Sequence, residues 1–542
     1  MYQLVLTQSY FAAQQDTPFR PTTIAQLLQE QARDRSDVLA LRELLPDGAN
    51  GREWSYLDLL RDSERLGRAL AARHPRGARV AIFANNCPEW VLMEMATALA
   101  GLTLVTVNPS YAARELRYVL EQSRAEAIYF VPSVRGTALA PIVDAACADL
   151  AQVRHRILLT DHPALFAGEE AGRLRKTEPD DIVQIQYTSG TTGFPKGALL
   201  HQKGLIQNGF DTVARWGIAP GERILIIMPL FHTAGCALLV LGGLANGATL
   251  VLAPGFDPEP IARVIERERI EYLLGVPTMI VALIDEAERR HRDLTSVRSV
   301  MSGGSMVAPE LVRKAAAAFG APIQIVYGQT ETSPAITTAW RHDSEADLSG
   351  TIGQPLPHME VAILDTTDGS VCPIGGQGEI CCRGYNVMTG YNDNPEATAQ
   401  AIDADGWLHT GDLGTMDARG YLRITGRVKY MIIRAGENLF PVEIENAILE
   451  HEAILDVAVV GIPDEKWGEL VACFMRARGA DRPEPEVLKR FIRERLSPQK
   501  TPSYWIWVEE WPLTGSGKIQ KFALREAFLR GDHGHAARLV SG

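Results

Sequence analysis

The segment Thr188-Ser-Gly-Thr-Thr-Gly-Phe-Pro-Lys-Gly197 holds the densest chemistry in this 542-residue chain. Small residues such as Gly190 and Gly193 let backbone N–H groups close on a polyanion. The hydroxyls of Thr188, Ser189, Thr191 and Thr192 add donors, and Lys196 supplies charge. The Walker order GxxxxGK[ST] does not fit, because Lys196 is followed by Gly197 and the glycines are spaced differently. A second group is Tyr327-Gly-Gln-Thr-Glu-Thr-Ser-Pro334, which follows a strand-like run at the edge where open α/β sheets bind ligands. An aromatic face there suits adenine, a hydroxyl suits phosphate, and a carboxylate suits Mg²⁺. In Trp407-Leu-His-Thr-Gly-Asp412 a carboxylate follows what reads as a tight turn and could accept from both hydroxyls of a ribose. Taken alone, such an Asp is ordinarily a turn former. His232, in Pro229-Leu-Phe-His-Thr-Ala-Gly235, reads alone as a satisfied core residue, and Lys518, in a Gly/Ser loop, as a solvated one.

These segments need elements to hold them. Apolar strands at 79–83, 102–107 and 127–131 alternate with helices at 88–100 and 113–123, which predicts a parallel sheet covered on both faces. The rhythm resumes with strands at 223–228, 249–252, 272–275, 297–302 and 323–327 and helices at 237–245, 258–267 and 309–319, a second α/β unit. Beyond residue 349 dense glycines and short strands predict a β-rich subdomain to 426, with a helix at 395–401. A helix at 441–450, a strand at 453–461 and a helix at 484–496 predict a closing α+β unit. The fold class expected is therefore α/β: two doubly wound subdomains, a small β-rich subdomain and a small C-terminal domain.

Lys and Arg number 54 against 66 Asp and Glu, a formal charge of −12. A nucleic-acid partner is not expected of so acidic a chain, and any anion must be held by local donors. Charged residues at 22% and hydrophobic ones at 46% are those of a globular protein. The seven cysteines (87, 147, 236, 372, 381, 382 and 473) are odd in number and show no CxxC pair. That argues against a disulfide framework or zinc site and for a reducing cytoplasm. The first residues lack a basic n-region and a long apolar stretch, so no secretory signal is expected. Residues 224–256 carry no Asp, Glu, Lys or Arg, but Pro229, His232, Asn246, Pro254 and glycines break the run into strand, loop, helix and strand. No transmembrane segment is expected.

TSGTTGFPKG resembles the phosphate loop of the adenylate-forming (AMP-binding) superfamily, which includes acyl-CoA synthetases, aryl-CoA ligases, luciferases and adenylation domains. The likeness runs from Trp54-Ser-Tyr-Leu-Asp-Leu to Gly515-Ser-Gly-Lys-Ile-Gln-Lys521, with the motifs in order. It implies that Thr188 to Gly193 with Lys196 bind the ATP phosphates, that Gly303, Gly304 and Tyr327 flank the base, and that Gly328 and Gln329 belong to the ATP/AMP site. Thr330 would bond a phosphate, Glu331 hold Mg²⁺, Asp412 bind the ribose, and Arg427 touch ribose and phosphate. Phe231, His232 and Gly235, with Gly303, would line an acyl pocket, and Lys518 would be the catalytic lysine of adenylation. Lys429, third in Gly426-Arg-Val-Lys429, matches the family's pivot, giving domains 1–426 and 430–542 about a hinge at 427–429. Many members have an acidic residue where Tyr430 stands. Arg434-Ala-Gly-Glu-Asn-Leu-Phe-Pro441 resembles the loop bordering the thiol tunnel, so Ala435, Gly436, Glu437 and Asn438 would face coenzyme A. Ala435 replaces the usual Gly. Val460-Gly-Ile-Pro-Asp-Glu-Lys-Trp-Gly-Glu469 resembles the acyl-CoA ligase form of this domain.

The reaction implied joins a small-molecule carboxylic acid to ATP with loss of pyrophosphate, then passes the acyl group to coenzyme A. A medium- or long-chain fatty acid is the leading substrate. An aryl or small acid, or an amine or carrier-thiol acceptor, is the alternative enzyme reading. A binding-only protein fits less well, since it has no need of Lys518. A symmetric homodimer is the default oligomer.

Overall fold

The computed structural model describes residues 1–188, 195–304, 307, 309–434, 437–464, 466–479, 482–513, 519–532 and 537–538. The predicted alternation is present. In a seven-stranded sheet, Arg79–Phe83 lies between Thr103–Val107 and Ala127–Phe130, and all three run parallel. Ile182–Thr188 adds in parallel beside Thr103–Val107, so the chain leaves the sheet at the phosphate-loop motif. In a nine-stranded sheet, Thr249–Leu252, Arg223–Ile226, Tyr272–Leu274, Ser299–Gly303 and Ile323–Gly328 form a parallel core. The β-rich region forms a five-stranded antiparallel sheet in the order Tyr10–Phe11, Met359–Leu364, Gly378–Gly384, Leu408–Met416, Leu422–Arg427. The C-terminal part has its own sheet, built on the hairpin Ile454–Asp464 and Gly468–Ala477, and its own apolar clusters.

The units are not the contiguous segments that the rhythm suggests. Leu39–Leu44 and Asn50–Ser55 form one edge of the second sheet, and Gly390–Tyr391 forms an edge of the first. Pairing between strands hundreds of residues apart leaves no periodic trace, so these edge strands were not readable.

The uncharged run resolves into buried pieces, as expected: strand Arg223–Ile226, a helical stretch and strand Thr249–Leu252. The helix starts earlier than predicted and is wider, a π-helix over Ala234–Leu241 running into an α-helical turn, Gly242–Ala245. It crosses helix Gln202–Ala214 at a glycine pair. A Cβ on Gly209 would lie 2.6 Å from the Ala237 carbonyl oxygen, and one on Gly242 would lie 2.5 Å from that of Gly209. Among the described residues, no helix is long and apolar enough to cross a membrane.

Candidate active site

The strand Ile182–Thr188 turns back through the phosphate-loop motif into Lys196–His201, and the two pair antiparallel with Thr188 opposite Lys196. Both ends of the motif are therefore pinned on a rigid sheet. Ser189, Gly190, Thr191, Thr192 and Gly193 lie outside the described residues. The Lys196 Nζ stands 4.9 Å from the ring centroid of Tyr391. The Tyr391 hydroxyl in turn donates to Glu331 Oε1 at 2.7 Å. Glu331 is only 9% exposed, in a 3₁₀ turn, Thr330–Thr332, that follows strand Ile323–Gly328. A cation from one sheet and a carboxylate from another thus meet through a tyrosine.

Tyr391 has no place in the sequence reading. It sits on a two-residue edge strand, too short to show a period; the one signal is a Gly-Tyr pair shortly before Asn394-Pro395. Burial, then the charge and hydrogen bond of Glu331, push its hydroxyl well above the ordinary tyrosine value, so it stays a donor. Replacing it with Phe removes one hydrogen bond to a charged group, which is worth about 1.5–3 kcal/mol. Tyr391→Phe should therefore lower kcat/KM by roughly tenfold or more, with the loss seen in steady-state kinetics across a Mg²⁺ titration. An unchanged kcat/KM at every Mg²⁺ concentration contradicts this role.

The second constellation joins Tyr327, Asp412 and Arg427. Tyr327 Oη donates to Asp412 Oδ2 at 2.9 Å, and Arg427 Nε lies 2.6 Å from Asp412 Oδ1. Asp412 is 4% exposed. The expectation of a tight turn before it is corrected. Asp412 lies inside strand Leu408–Met416, where the register against Gly378–Gly384 shifts and Gly411 takes φ +72°. The extra residues form a bulge that re-aims the side chain, as bulges beside sites commonly do. A carboxylate has about four lone-pair sites; Tyr327 and Arg427 use two and leave capacity for a diol. For Arg427, burial works against the guanidinium charge, but Asp412 outweighs it and holds the pKa up.

Gly303 faces Val326 across the parallel pair. A Cβ there would fall 2.2 Å from the Val326 carbonyl oxygen, so any side chain would force the strands apart. Gly304 takes φ +78° at the strand end. Gly328 would likewise drive a Cβ to 2.0 Å from the Pro334 carbonyl oxygen. The Gln329 N–H donates to Thr332 Oγ1 at 3.2 Å, which fixes the turn that carries Thr330 and Glu331.

Phe231 and His232 pack ring to ring at 5.4 Å, just ahead of the π-helix. Both are half-buried, and Gly235 turns tightly beneath them under the Pro229 carbonyl. Within the fold, Cys236 of that helix accepts from Gln186 Nε2 at 3.1 Å, and Gln184 Nε2 donates to Glu94 Oε1 at 2.6 Å. Glu94 Oε2 has no hydrogen-bond partner. Burial pushes the Glu94 carboxyl from 4.5 up to about 8, against the hydrogen bond from Gln184. Between those two values the folded chain holds a proton that the unfolded chain has released, so stability falls as pH rises through the window. Glu94→Gln should flatten that fall; thermal midpoints from about pH 5 to 8 measure it, and an unchanged slope in the variant refutes the assignment.

In the C-terminal part, Lys429 lies in the 3₁₀ turn Val428–Tyr430. Ile432–Arg434 and Glu437–Leu439 pair as a hairpin with Arg434 opposite Glu437. Ala435, Gly436 and Lys518 lie outside the described residues, as do the side chains of Lys429, Glu437 and Asn438. A bridge between Leu513 and Ile519 closes the base of the Lys518 loop. Three residues past Lys518, the Lys521 Nζ pairs with Glu445 at 2.5 Å and lies 5.4 Å from the Tyr430 ring centroid. Tyr430, the departure beside the expected hinge, thus contacts the element that follows the Lys518 loop.

Comparison with known proteins identifies the family. The AMP-binding enzyme family matches residues 28–392, and the AMP-binding enzyme C-terminal domain matches residues 443–518. YngI of Bacillus subtilis (strain 168), provisionally named an acyl-CoA synthetase, is 38% identical over 83% of this chain and 87% of its own. The mitochondrial medium-chain acyl-CoA ligase ACSF2 of Danio rerio is 33% identical over 96% of this chain and 91% of its own. Among solved structures, ATP-bound MatB from Rhodopseudomonas palustris superposes with a TM-score of 0.84 at 28% identity, covering 94% of this chain and 99% of that one. The o-succinylbenzoate CoA synthetase MenE of Bacillus subtilis, solved with its acyl-adenylate OSB-AMP, gives 0.80 at 28% identity over 92% and 97%. With two domain matches in sequence order and a shared fold over nearly its full length, this chain belongs to the AMP-binding enzyme family, as an AMP-forming acid–thiol ligase of the acyl-CoA synthetase kind.

Proposed function

We propose that the enzyme activates a medium- or long-chain fatty acid with ATP and transfers the acyl group to coenzyme A. The observation that carries this is the convergence of Lys196, Tyr391 and Glu331 at the mouth of the phosphate-loop hairpin, together with Asp412 held by Tyr327 and Arg427. One group of residues suits a polyphosphate and the other a ribose. The named medium-chain ligase among the relatives supports the acid class.

In the first step a carboxylate oxygen of the acid attacks the α-phosphorus in line, the bond to the β,γ-unit breaks, and pyrophosphate departs. Such transfer needs positioning and charge neutralisation more than covalent help. Thr188, Ser189, Gly190, Thr191, Thr192, Gly193 and Lys196 hold the phosphates, and Thr330 bonds the α-phosphate. Tyr327, Gly303 and Gly304 flank the adenine, Gly328 and Gln329 belong to the same ATP/AMP site, and Asp412 with Arg427 fixes the ribose. Glu331 is a buried hard-oxygen donor beside a phosphate-binding lysine, which fits a Mg²⁺ ligand. When bound, that ion neutralises charge on the departing pyrophosphate.

Phe231, His232, Gly235 and Gly303 form the acyl side. In the second step the thiol attacks the carbonyl of the mixed anhydride, forming the thioester and releasing AMP. Domain 430–542 pivots at 427–429 on Lys429 between the steps and brings Ala435, Gly436, Glu437 and Asn438 to the thiol. The free state of all seven cysteines is in keeping with a reducing, cytoplasmic setting.

The test is pyrophosphate release dependent on acid, ATP and Mg²⁺, across fatty acids of graded length and aryl acids, with products identified by mass spectrometry with and without coenzyme A. Fastest turnover on a medium or long fatty acid with acyl-CoA formed supports the reading. Preference for an aryl acid overturns the substrate class, and acyl-adenylate accumulating beside unconsumed thiol overturns the acceptor.

A further inference from the structure

Outside the nucleotide and acyl residues, the five-stranded sheet gathers three side chains of different ligand chemistry. Glu379 and Cys381 lie two residues apart on strand Gly378–Gly384, and so project to one face. His409 sits directly opposite Cys381 on strand Leu408–Met416. One ligand atom from each of the three lies within 4.8 Å of the others. His409 Nδ1 is 2.8 Å from Glu379 Oε2 and 3.5 Å from the Cys381 sulfur.

These distances can be compared with a metal's demands. With Zn–S near 2.3 Å and Zn–N near 2.05 Å, the sulfur-to-nitrogen edge of a tetrahedral zinc site is about 3.5 Å. The observed S···N distance is 3.5 Å. The nitrogen-to-oxygen edge is about 3.3 Å, so the present Nδ1···Oε2 contact of 2.8 Å need open by only about half an ångström. That contact is a proton-bridged pair, and a metal ion would take the proton's place.

The surroundings are those of a built site. His409 Nε2 is 3.4 Å from Asp403 Oδ2, the carboxylate–imidazole arrangement that fixes the tautomer and leaves Nδ1 to ligate. Glu379 Oε1 accepts from the Gly411 N–H at 2.8 Å, which holds the carboxylate in orientation. Cys381 is fully buried in an apolar cluster with Ala362, Leu364 and Trp407, while the His409 side chain is 32% exposed and opens a path from solvent. Burial disfavours the imidazolium, but Glu379 and Asp403 outweigh it and raise the His409 pKa; burial raises that of the Cys381 thiol. Imidazole and thiol must each be deprotonated at the ligating atom, so loading a metal releases protons. The site has no sequence signature because its ligands come from two strands brought into register, with no CxxC spacing.

We propose that Glu379, Cys381 and His409 form a transition-metal site that takes Zn²⁺ through one oxygen, one thiolate sulfur and one nitrogen, with a fourth position open to solvent. Sulfur, imidazole and carboxylate together suit Zn²⁺ over Mg²⁺. Through the Gly411 N–H, the site adjoins Asp412.

The test uses the full chain freed of metal by chelator and kept in Mg²⁺ buffer. Zn²⁺ is titrated in competition with a chromogenic zinc indicator, and Co²⁺ is used as a spectroscopic stand-in. One equivalent should bind, and the Co²⁺ form should show a thiolate-to-metal charge-transfer band. Cys381→Ser and Cys381→Ala should lose the band, His409→Gln should lose stoichiometric binding, and Asp403→Asn should weaken affinity about tenfold. Circular dichroism checks that each variant is folded. If wild-type protein binds no stoichiometric Zn²⁺, or its Co²⁺ form lacks the band, the site is refuted, whatever the variants do. Binding unchanged in Cys381→Ser or His409→Gln refutes it equally, as binding elsewhere.

Discussion

Lys518→Ala is expected to slow acyl-adenylate formation by about 10²–10³-fold, the usual cost of removing one preorganised group aimed at developing charge. Thioester formation from pre-made acyl-adenylate and coenzyme A should stay near the wild-type rate. The split follows from the proposed chemistry. Negative charge gathers on the attacking carboxylate and the α-phosphate only in the first step, so a cation aimed there has no task in the second. The described residues on either side of Lys518 are tied to one another and to the rest of the domain. Leu513 bridges Ile519, the Gln520 N–H donates to the Pro512 carbonyl at 2.7 Å, and Lys521 is tied to Glu445. Pyrophosphate release measures the first half-reaction, and mass spectrometry of acyl-CoA formed from supplied adenylate measures the second. Equal losses in both halves would point to a structural role; an undiminished first half would falsify the catalytic one.

Asp412→Ala should raise the KM for ATP by about 10²-fold or more, since two hydrogen bonds to a charged group contribute roughly 1.5–3 kcal/mol each. The substitution also strips Tyr327 and Arg427 of their shared acceptor, so some loss of thermal stability should accompany the kinetic effect. Asp412→Asn separates the two causes. Its amide oxygen still accepts, so it should bind ATP better than the Ala variant, although the ion pair with Arg427 is gone. Calorimetric titration with a non-hydrolysable ATP analogue reads the affinity directly. Unchanged affinity in Asp412→Ala removes this residue from the ribose site.

The parallel cores were legible because buried strands and amphipathic helices alternate with turns, as at Arg79–Phe83 and Pro258–Glu268. The motif at Thr188 was legible because few chain segments combine three glycines, four hydroxyls, a proline and a lysine after a strand. Long-range pairing was not. Nothing near Leu39 announces that it will join Thr249–Leu252, nor that Gly390–Tyr391 will border Lys196–His201. The π-helix was hidden because Ala234–Leu241 is apolar all round and has no face to reveal its pitch. Asp412 was singled out by its motif, but the glycine before it was read as a turn. The same positive φ inside a strand makes a bulge, and only pairing with Gly378–Gly384 tells the two apart.

The Arg427–Asp412 contact sits where strand Leu422–Arg427 gives way to the turn Val428–Tyr430. A ligand that engages the same carboxylate must share it with the arginine at the base of the C-terminal part. Binding energies so coupled are reciprocal. If filling the carboxylate loosens the arginine by some factor, then fixing the arginine weakens the ligand by that same factor. Cooperativity between nucleotide and domain orientation would thus be written into one ion pair, and it could be measured from either end.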